Sequence, residues 1–463
     1  MHLRQQFIKG VAAPLLEDGL PVPPLSAKRV PIWEFYRLDF DQDGCPMKRM
    51  PDGRLEFHPI LAPYLVADYV DLYIETKNQR CLSFATRIMD LALSRADPNR
   101  REITFTYKQS SGLSSMPMDF FSALTQSWYL RALAMLDDQY PGRYSSAIRR
   151  TFESLLIPVS EGGVLLKKQY GWIVEEYPAD PPLYTLNGWL TALRWILTVM
   201  PTLRRCGINC DEFMENNLRA VDHLLPLYDA QFCWNSRYQL TGFSRLKFVA
   251  DRSGTDLECS SLIIDIDGEN PRKADLLPEG TRNRWGNYIE KSTGRMAQFN
   301  IVLSLVSYPE PNRYDGIFNV GKDCCVSVYV ADGDYRPDQT GLSTTRWREV
   351  CVHKLTAGEN RLKGCIPFDD RNMFSYPTNF KKNINGEKYN AYHFLHIVDL
   401  AILYQMSGRS NYAETARKWM QYISEWPKMP ELSDPQISHA SYLYGTNFEM
   451  IIEKHLSSAN RRI

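Results

Sequence analysis

Residues 172–199 read WIVEEYPADPPLYTLNGWLTALRWILTV, and the reading of this stretch decides the fold. A doubled carboxylate, Glu175-Glu176, runs into Tyr177 and the helix-stopping Pro178. Residues 183–199 then read as an apolar helix. Acid, phenol and helix start meet at one place, a poor composition for a core and a useful one for proton transfer. Working outward, the same plan recurs at 60–96, 118–157, 183–227 and 390–424: an apolar helix, a short polar break, then an amphipathic helix. In the last, Ile397, Leu400, Ala401 and Tyr404 share a face, SGRSN at 407–411 breaks it, and 413–423 resumes. Such units are αα-hairpins. With an interruption at 242–384 set aside, they recur with a period of roughly 60 residues, the pattern of a helical array or toroid in which each pair covers its neighbour's apolar face.

The interruption differs in kind. Short strand-like runs at 246–249, 260–265, 299–306, 324–330 and 348–355 alternate with polar turns such as Asp267-Gly268-Glu269-Asn270 and Asp332-Gly333-Asp334, which predicts a β-sandwich. The expected fold class is therefore mainly α, a toroid of helical hairpins with an inserted β-sandwich domain. The expected boundaries are an N-terminal arm at 1–30, the helical catalytic domain at 31–241 and 385–463, and the insert at 242–384.

At 463 residues the chain exceeds one ordinary core. Its 54 basic and 54 acidic residues balance, which argues against a strongly basic nucleic-acid surface. The ten cysteines are scattered without a CxxC pair, Cys324-Cys325 adjacent and Cys206/Cys210 four apart, so neither zinc spacing nor a small disulfide framework emerges. No run of eighteen apolar residues and no secretory h-region is visible. The expectation is a soluble, cytoplasmic protein with no membrane and no nucleic-acid partner; a homodimer is one open option. The 26 tyrosines and 10 tryptophans read first as core, with stacking on sugar rings as the alternative.

Helix starts carry the chemistry-bearing residues: His58, Asp119, Tyr184 with Asn187, and Tyr392 with His393. Free N–H groups there suit an anionic substrate; the plainer reading of His58 and Asp119 is a cap or first-turn residue. Glu175 and Glu176 alone could be solvated loop charges, and Tyr177 a packed loop tyrosine. Asn187 inside an apolar helix must find partners. In Tyr392-His393-Phe394-Leu395-His396 the two imidazoles are three apart with no obvious third ligand, so no metal is expected. Arg237, eight residues after Asp229 of LPLYD, could grip a carboxylate and is expected to be partly solvated. GxSxG, P-loop and Rossmann patterns are absent, so acyl, phosphoryl and hydride chemistry lack support.

At 117–129 (PMDFFSALTQSWY), 172–189, 225–229 (LPLYD) and 392–400 (YHFLHIVDL) the chain resembles the D-glucuronyl C5-epimerases, which convert glucuronate to iduronate within heparan-type polymers. The resemblance implies an (α/α) barrel with a β domain, an acidic-polysaccharide groove and catalysis without nicotinamide; no cofactor is expected. It implies Glu176, Tyr177 and Tyr392 as catalytic groups and Arg237 near the substrate carboxylate. Asn187, Gln126, His393, His396, Trp234 and Glu175 complete the candidate substrate-binding set. Trp234 stands where the family has a functional tyrosine three residues before the arginine, and the β domain is inserted before the last helix pair rather than placed ahead of the barrel. The expected reaction is inversion at C5 of D-glucuronate in a heparosan-like polymer, one face losing a proton and the other gaining one. The alternatives are a uronate lyase, which would expel the C4 substituent instead, and a non-catalytic glycan-binding protein.

Overall fold

The structure is a computed structural model and describes residues 30–108, 119–268, 271–276, 286–332, 335–337, 346–367, 377–445 and 447–458. The expected N-terminal arm lies outside the described residues except for its last position, as do parts of the two turns at 267–270 and 332–334.

A short helix α1 (Val30–Tyr36) leads into helical hairpins. They are α2 (Leu61–Thr76) with α3 (Gln79–Leu93), α4 (Ala123–Gln139) with α5 (Ser145–Ser154), α6 (Leu186–Arg205) with α7 (Asp211–Leu224), and α8 (Ala391–Ser407) with α9 (Ser410–Glu425). A final helix, α10 (Phe448–Ser457), packs on α8. The breaks are chemically specified. Lys77 turns left-handed (φ 56°) to end α2, and Asn78 then caps α3 by accepting from Arg80 N. Asn390 caps α8 by accepting from His393 N, and Gly408 (φ 72°) ends it. The first helix of each pair is buried on most sides, as in α6, while α9 buries mainly the stripe Tyr412, Ala413, Ala416, Trp419 and Tyr422. The inner helices lie side by side, α2 on α4, α4 on α6, and α6 on α8.

Between α7 and α8 the chain is β. The hairpin β1 (Leu165–Lys168) and β2 (Gly171–Val174) precedes α6, and the two-residue strand β3 (Asn235–Ser236) follows α7. Then come β4 (Thr241–Ala250), β5 (Leu257–Asp265), β6 (Arg272–Lys273), β7 (Tyr288–Thr293), β8 (Met296–Ser304), β9 (Asn312–Val320), β10 (Cys324–Asp332), β11 (Arg346–Leu355) and β12 (Gly358–Ile366). They form a five-stranded sheet, β7-β8-β4-β10-β11, and a four-stranded sheet, β6-β5-β9-β12, both antiparallel. The sheets meet where Phe248 of β4 packs on Phe318 (4.6 Å) and Tyr314 (5.6 Å) of β9. One contiguous apolar core runs through helices and sheets alike.

The expected mainly α class is incorrect. Of the described residues 41% are helical and 29% strand, which makes a mixed α/β protein with several antiparallel sheets. The helical hairpins exist, but strand content was underread where polar residues interrupt the apolar alternation. β9 is the clearest case: Arg313, Asp315, Gly316 and Asn319 look like turn residues, yet Asn312, Tyr314, Phe318 and Val320 alternate inward along it.

Candidate active site

The site begins where β2 delivers Glu175 and Glu176 to the start of α6. Neighbouring residues of an extended chain point oppositely, and the two carboxyls part company. Glu175 turns onto the backbone N–H of Tyr184, 3.2 Å from Oε2. It thereby holds a residue in the left-handed region (φ 56°), while Tyr228 Oη donates to Tyr184 O at 2.7 Å. Burial pushes the Glu175 carboxyl up to about 8.

Glu176 lies on the first turn of α6. A Cβ at Gly188 would sit 2.5 Å from Glu176 Cβ and Oε2, so only glycine admits the carboxylate there. Burial pushes Glu176 up to about 7; hydrogen bonds from Tyr177, Asn187 and the Gly188 N–H oppose the shift. With its amide nitrogen turned toward the carboxylate, Asn187 donates to Oε2 at 3.3 Å. Buried Asn187 thus finds the partner that its place in an apolar helix requires.

Tyr177 is hydrogen-bonded to Glu176, and the charge of Glu176, then burial, drives its phenol up. Near it is a second pair. Tyr238 and Tyr392 pack edge to face with ring centroids 4.7 Å apart. Their hydroxyls are hydrogen-bonded, which lowers Tyr392 and raises Tyr238. Burial and the Glu176 charge nevertheless hold Tyr392 above its ordinary value. Tyr392 is 41% exposed, and open surface amid close neighbours describes the wall of a cleft. Each pair feels the other: Tyr392 acts on Tyr177, and Glu176 acts on Tyr392 and Tyr238.

An aromatic chain extends the wall. Tyr36 packs on His58 (4.3 Å), His58 on Tyr107 (5.2 Å), Tyr107 on Phe120 (5.3 Å) and Phe120 on Tyr177 (6.4 Å). Burial, then Lys48, lowers His58 to about 3, which keeps it neutral. Tyr36, Tyr107 and Tyr238 escaped sequence reasoning. Tyr238 follows Arg237 directly and was within reach of it, whereas Tyr36 and Tyr107 carry no local signal. Asp119 is exposed on a short strand, Asp119–Phe120, and does not cap α4.

Other candidates lie behind this wall. Gln126 is fully buried; it accepts from Phe105 N (3.1 Å) and donates to Ile103 O (2.7 Å) and Ser154 Oγ (2.6 Å), bracing the 103–105 segment. His393 is 0% exposed; its Nδ1 accepts from Ser236 N (3.0 Å) and its Nε2 donates to Trp419 O (2.9 Å). Burial lowers His393 to about 4. His396 Nδ1 meets Ser236 Oγ at 2.8 Å, and burial, then His393, lowers this imidazole too. The two histidines clamp β3, the strand that leads into Arg237 and Tyr238. Trp234 packs on Tyr422 (5.3 Å) and accepts from Trp426 Nε1 at its backbone oxygen (2.8 Å). Arg237 is 4% exposed, not partly solvated as expected. Its guanidinium lies 5.5 Å from the Phe232 ring centroid.

A carboxyl–phenol pair and a phenol–phenol pair thus lie within electrostatic reach of each other, an arrangement chemically capable of proton transfer. Residues 98–256 match the family model described as D-glucuronyl C5-epimerase C-terminus, and this match supports membership of the family that the sequence resembles and, at a coarse level, an epimerase-type isomerase. The matched stretch contains Glu176, Tyr177, Asn187 and Arg237; Tyr392 lies beyond it. An uncharacterized protein of Methanocaldococcus jannaschii, MJ1128, is 28% identical over 146 residues, covering 29% of this chain and 46% of that relative. The chain thus spans about half the length of the curated relative it matches. No helix among the described residues is long and apolar enough to cross a membrane.

Proposed function

We propose that the chain inverts C5 of D-glucuronate residues within an acidic, heparosan-like polysaccharide. The observation that carries this reading is the closeness of Glu176–Tyr177 to Tyr238–Tyr392, two hydrogen-bonded acid/base pairs within electrostatic reach of each other. Loss of the C5 proton beside an ionised carboxylate builds a second negative charge, so donors must meet the developing enediolate. The Asn187 amide and the α6 N-terminus are suited to that task, and Arg237 is a further candidate for the carboxylate. One face removes the proton and the other returns one. The hydrogen bond with Tyr238 favours the Tyr392 phenolate needed for abstraction. Glu176, pushed up to about 7, can exchange a proton with Tyr177 near neutral pH. With the opposite epimer the roles exchange. No nicotinamide or metal enters these steps.

The test is incubation of glucuronate polymers, heparosan included, with the protein in heavy water. Deuterium at C5 with polymer length preserved supports the reading. Shortened polymer with an ultraviolet-absorbing double bond signals a lyase, and absence of exchange across the panel removes both.

A further inference from the structure

The inserted sheets carry a cluster of thiol, imidazole and phenol that the candidate active site does not use. Tyr314 of β9, in the four-stranded sheet, reaches across to β11 of the five-stranded one. Its hydroxyl lies 2.9 Å from Cys351 Sγ and 2.8 Å from His353 Nε2, and Sγ and Nε2 are 3.3 Å apart. Strand period brings the pair together: residues two apart share a face, so Cys351 and His353 both turn to Tyr314 while Val352 between them is 51% exposed. Val328 and Tyr329 of β10 pair with Cys351 and Glu349, which leaves Val350 as a bulge, a device that re-aims neighbouring side chains. A Cβ at Gly364 of β12 would collide with the Tyr314 hydroxyl, so glycine makes room for it. β11 and β12 are the terminal strands of their sheets among the described residues. Cys351 and His353 are accordingly half-buried, and the cluster lies at the sheet edges rather than in the core.

The thiolate, not the thiol, is the nucleophile, and an imidazole within hydrogen-bond reach can take the proton. Burial lowers His353, which keeps the ring neutral and able to accept. Burial, then the hydrogen bond with Cys351, raises Tyr314, which keeps the phenol protonated. We propose that Cys351 is a modification site for hydrogen peroxide, with His353 as its base and the Tyr314 hydroxyl as donor to the thiolate. The S–H proton passes to His353 Nε2, and the sulfur attacks one peroxide oxygen. An S–O bond forms as the O–O bond breaks; the departing hydroxide takes the proton back from Nε2 and leaves as water. Sulfur is oxidised by two electrons to a sulfenic acid, and the peroxide is reduced by the same two. Cys351 lies outside the proposed epimerase site, and its chemistry needs no uronate. Cys365 on β12 provides the contrast: it is exposed but has no imidazole hydrogen-bonded to it among the described residues.

The experiment treats the full-length protein with hydrogen peroxide at pH 7 in the presence of dimedone, which traps sulfenic acid, and reads labelling at each cysteine by mass spectrometry. An ordinary thiol is only about 3% thiolate at that pH, so full ionisation supplies at most about 30-fold more nucleophile. A more acidic thiolate is individually less reactive, and Cys351 should therefore be labelled about 10-fold faster than Cys365. His353→Gln should slow Cys351 by about the same factor and leave Cys365 unchanged. Tyr314→Phe should slow Cys351 by about 3- to 10-fold, the scale of one lost hydrogen bond. Exposure alone predicts the reverse order of the two cysteines. Labelling of Cys365 as fast as Cys351 in wild type overturns the site, and so does a folded His353→Gln whose Cys351 keeps its rate. Should a variant lose its melting transition, the wild-type order of Cys351 and Cys365 decides.

Discussion

Tyr392 and His393 are neighbours on the first turn of α8, and the contrast between them separates the working face of the molecule from its scaffold. Tyr392 is 41% exposed and touches Tyr238. His393, a helix step of about 100° away, is completely buried, with both ring nitrogens engaged by backbone. Glu176 and Glu175 divide in the same way: one meets Tyr177 and the helix start, the other supports Tyr184. A polar knot in sequence is therefore two devices in space. In the proposed reaction one side handles protons, and the other holds the first side in position.

The largest effect that can break this contrast comes from the phenols. Tyr177→Phe and Tyr392→Phe should each lower epimerisation at least about 10²-fold, the scale of a lost acid/base group, while melting temperature changes little because only a hydroxyl leaves. Exchange measured separately from glucuronate and iduronate polymers should show defects that differ between the two variants. Near-normal epimerisation in either would remove that tyrosine from the reaction.

His393→Leu should act in the opposite sense. It leaves the buried Ser236 N unmet, a cost of about 1–3 kcal/mol, and removes the second bond to Trp419 O, which its helix already engages, so the midpoint of denaturation should fall clearly. The folded fraction should keep its specific activity within about threefold, the change that about 0.6 kcal/mol produces. A variant that is stable but inactive would move His393 to the working face.

Glu176→Gln sharpens the comparison through pH. The folded carboxyl is raised to about 7 from its ordinary 4.5. A raised acid contributes most to stability below its unfolded value and loses that contribution as pH climbs through the folded one. Wild type should therefore weaken relative to Glu176→Gln between about pH 5 and 8 by at most about 3 kcal/mol, while the variant is inactive throughout. A stability gap between the two proteins that stays constant with pH would contradict a buried, proton-holding Glu176.

The helical hairpins were legible because apolar spacing, Asn and Gly caps and polar breaks all agree at 60–96 and 390–424. The sheets were half legible: β4, β8 and β10 announce themselves by alternation, whereas β9 and β12 carry polar residues on an exposed face and look like loops. Glu176, Tyr177 and Tyr392, which the structure brings near one another, stand out in sequence because each belongs to a dense polar block. Tyr36 and Tyr107 could not, since what makes them part of the wall is packing across the fold through His58 and Phe120. Gln126, His393 and His396 carry the residue types of a binding site, and only burial and partners reveal them as braces.

The smallest expected effect concerns Trp234, where the resembling family places a tyrosine. Its ring packs on Tyr422 and its backbone oxygen accepts from Trp426, contacts on the scaffold side of β3. Trp234→Tyr keeps an aromatic ring against Tyr422 and leaves the backbone bond untouched. The residue already sits in the left-handed region (φ 51°), which tyrosine tolerates no worse than tryptophan. Stability should change by less than about 1.5 kcal/mol, as conservative apolar exchanges do, and turnover by less than about threefold. Trp234 then differs from Tyr392 in kind, an aromatic residue that holds the strand rather than meets the sugar. A tenfold or larger gain in turnover on Trp234→Tyr would put position 234 on the working face and show that the hydroxyl missing there limits the reaction.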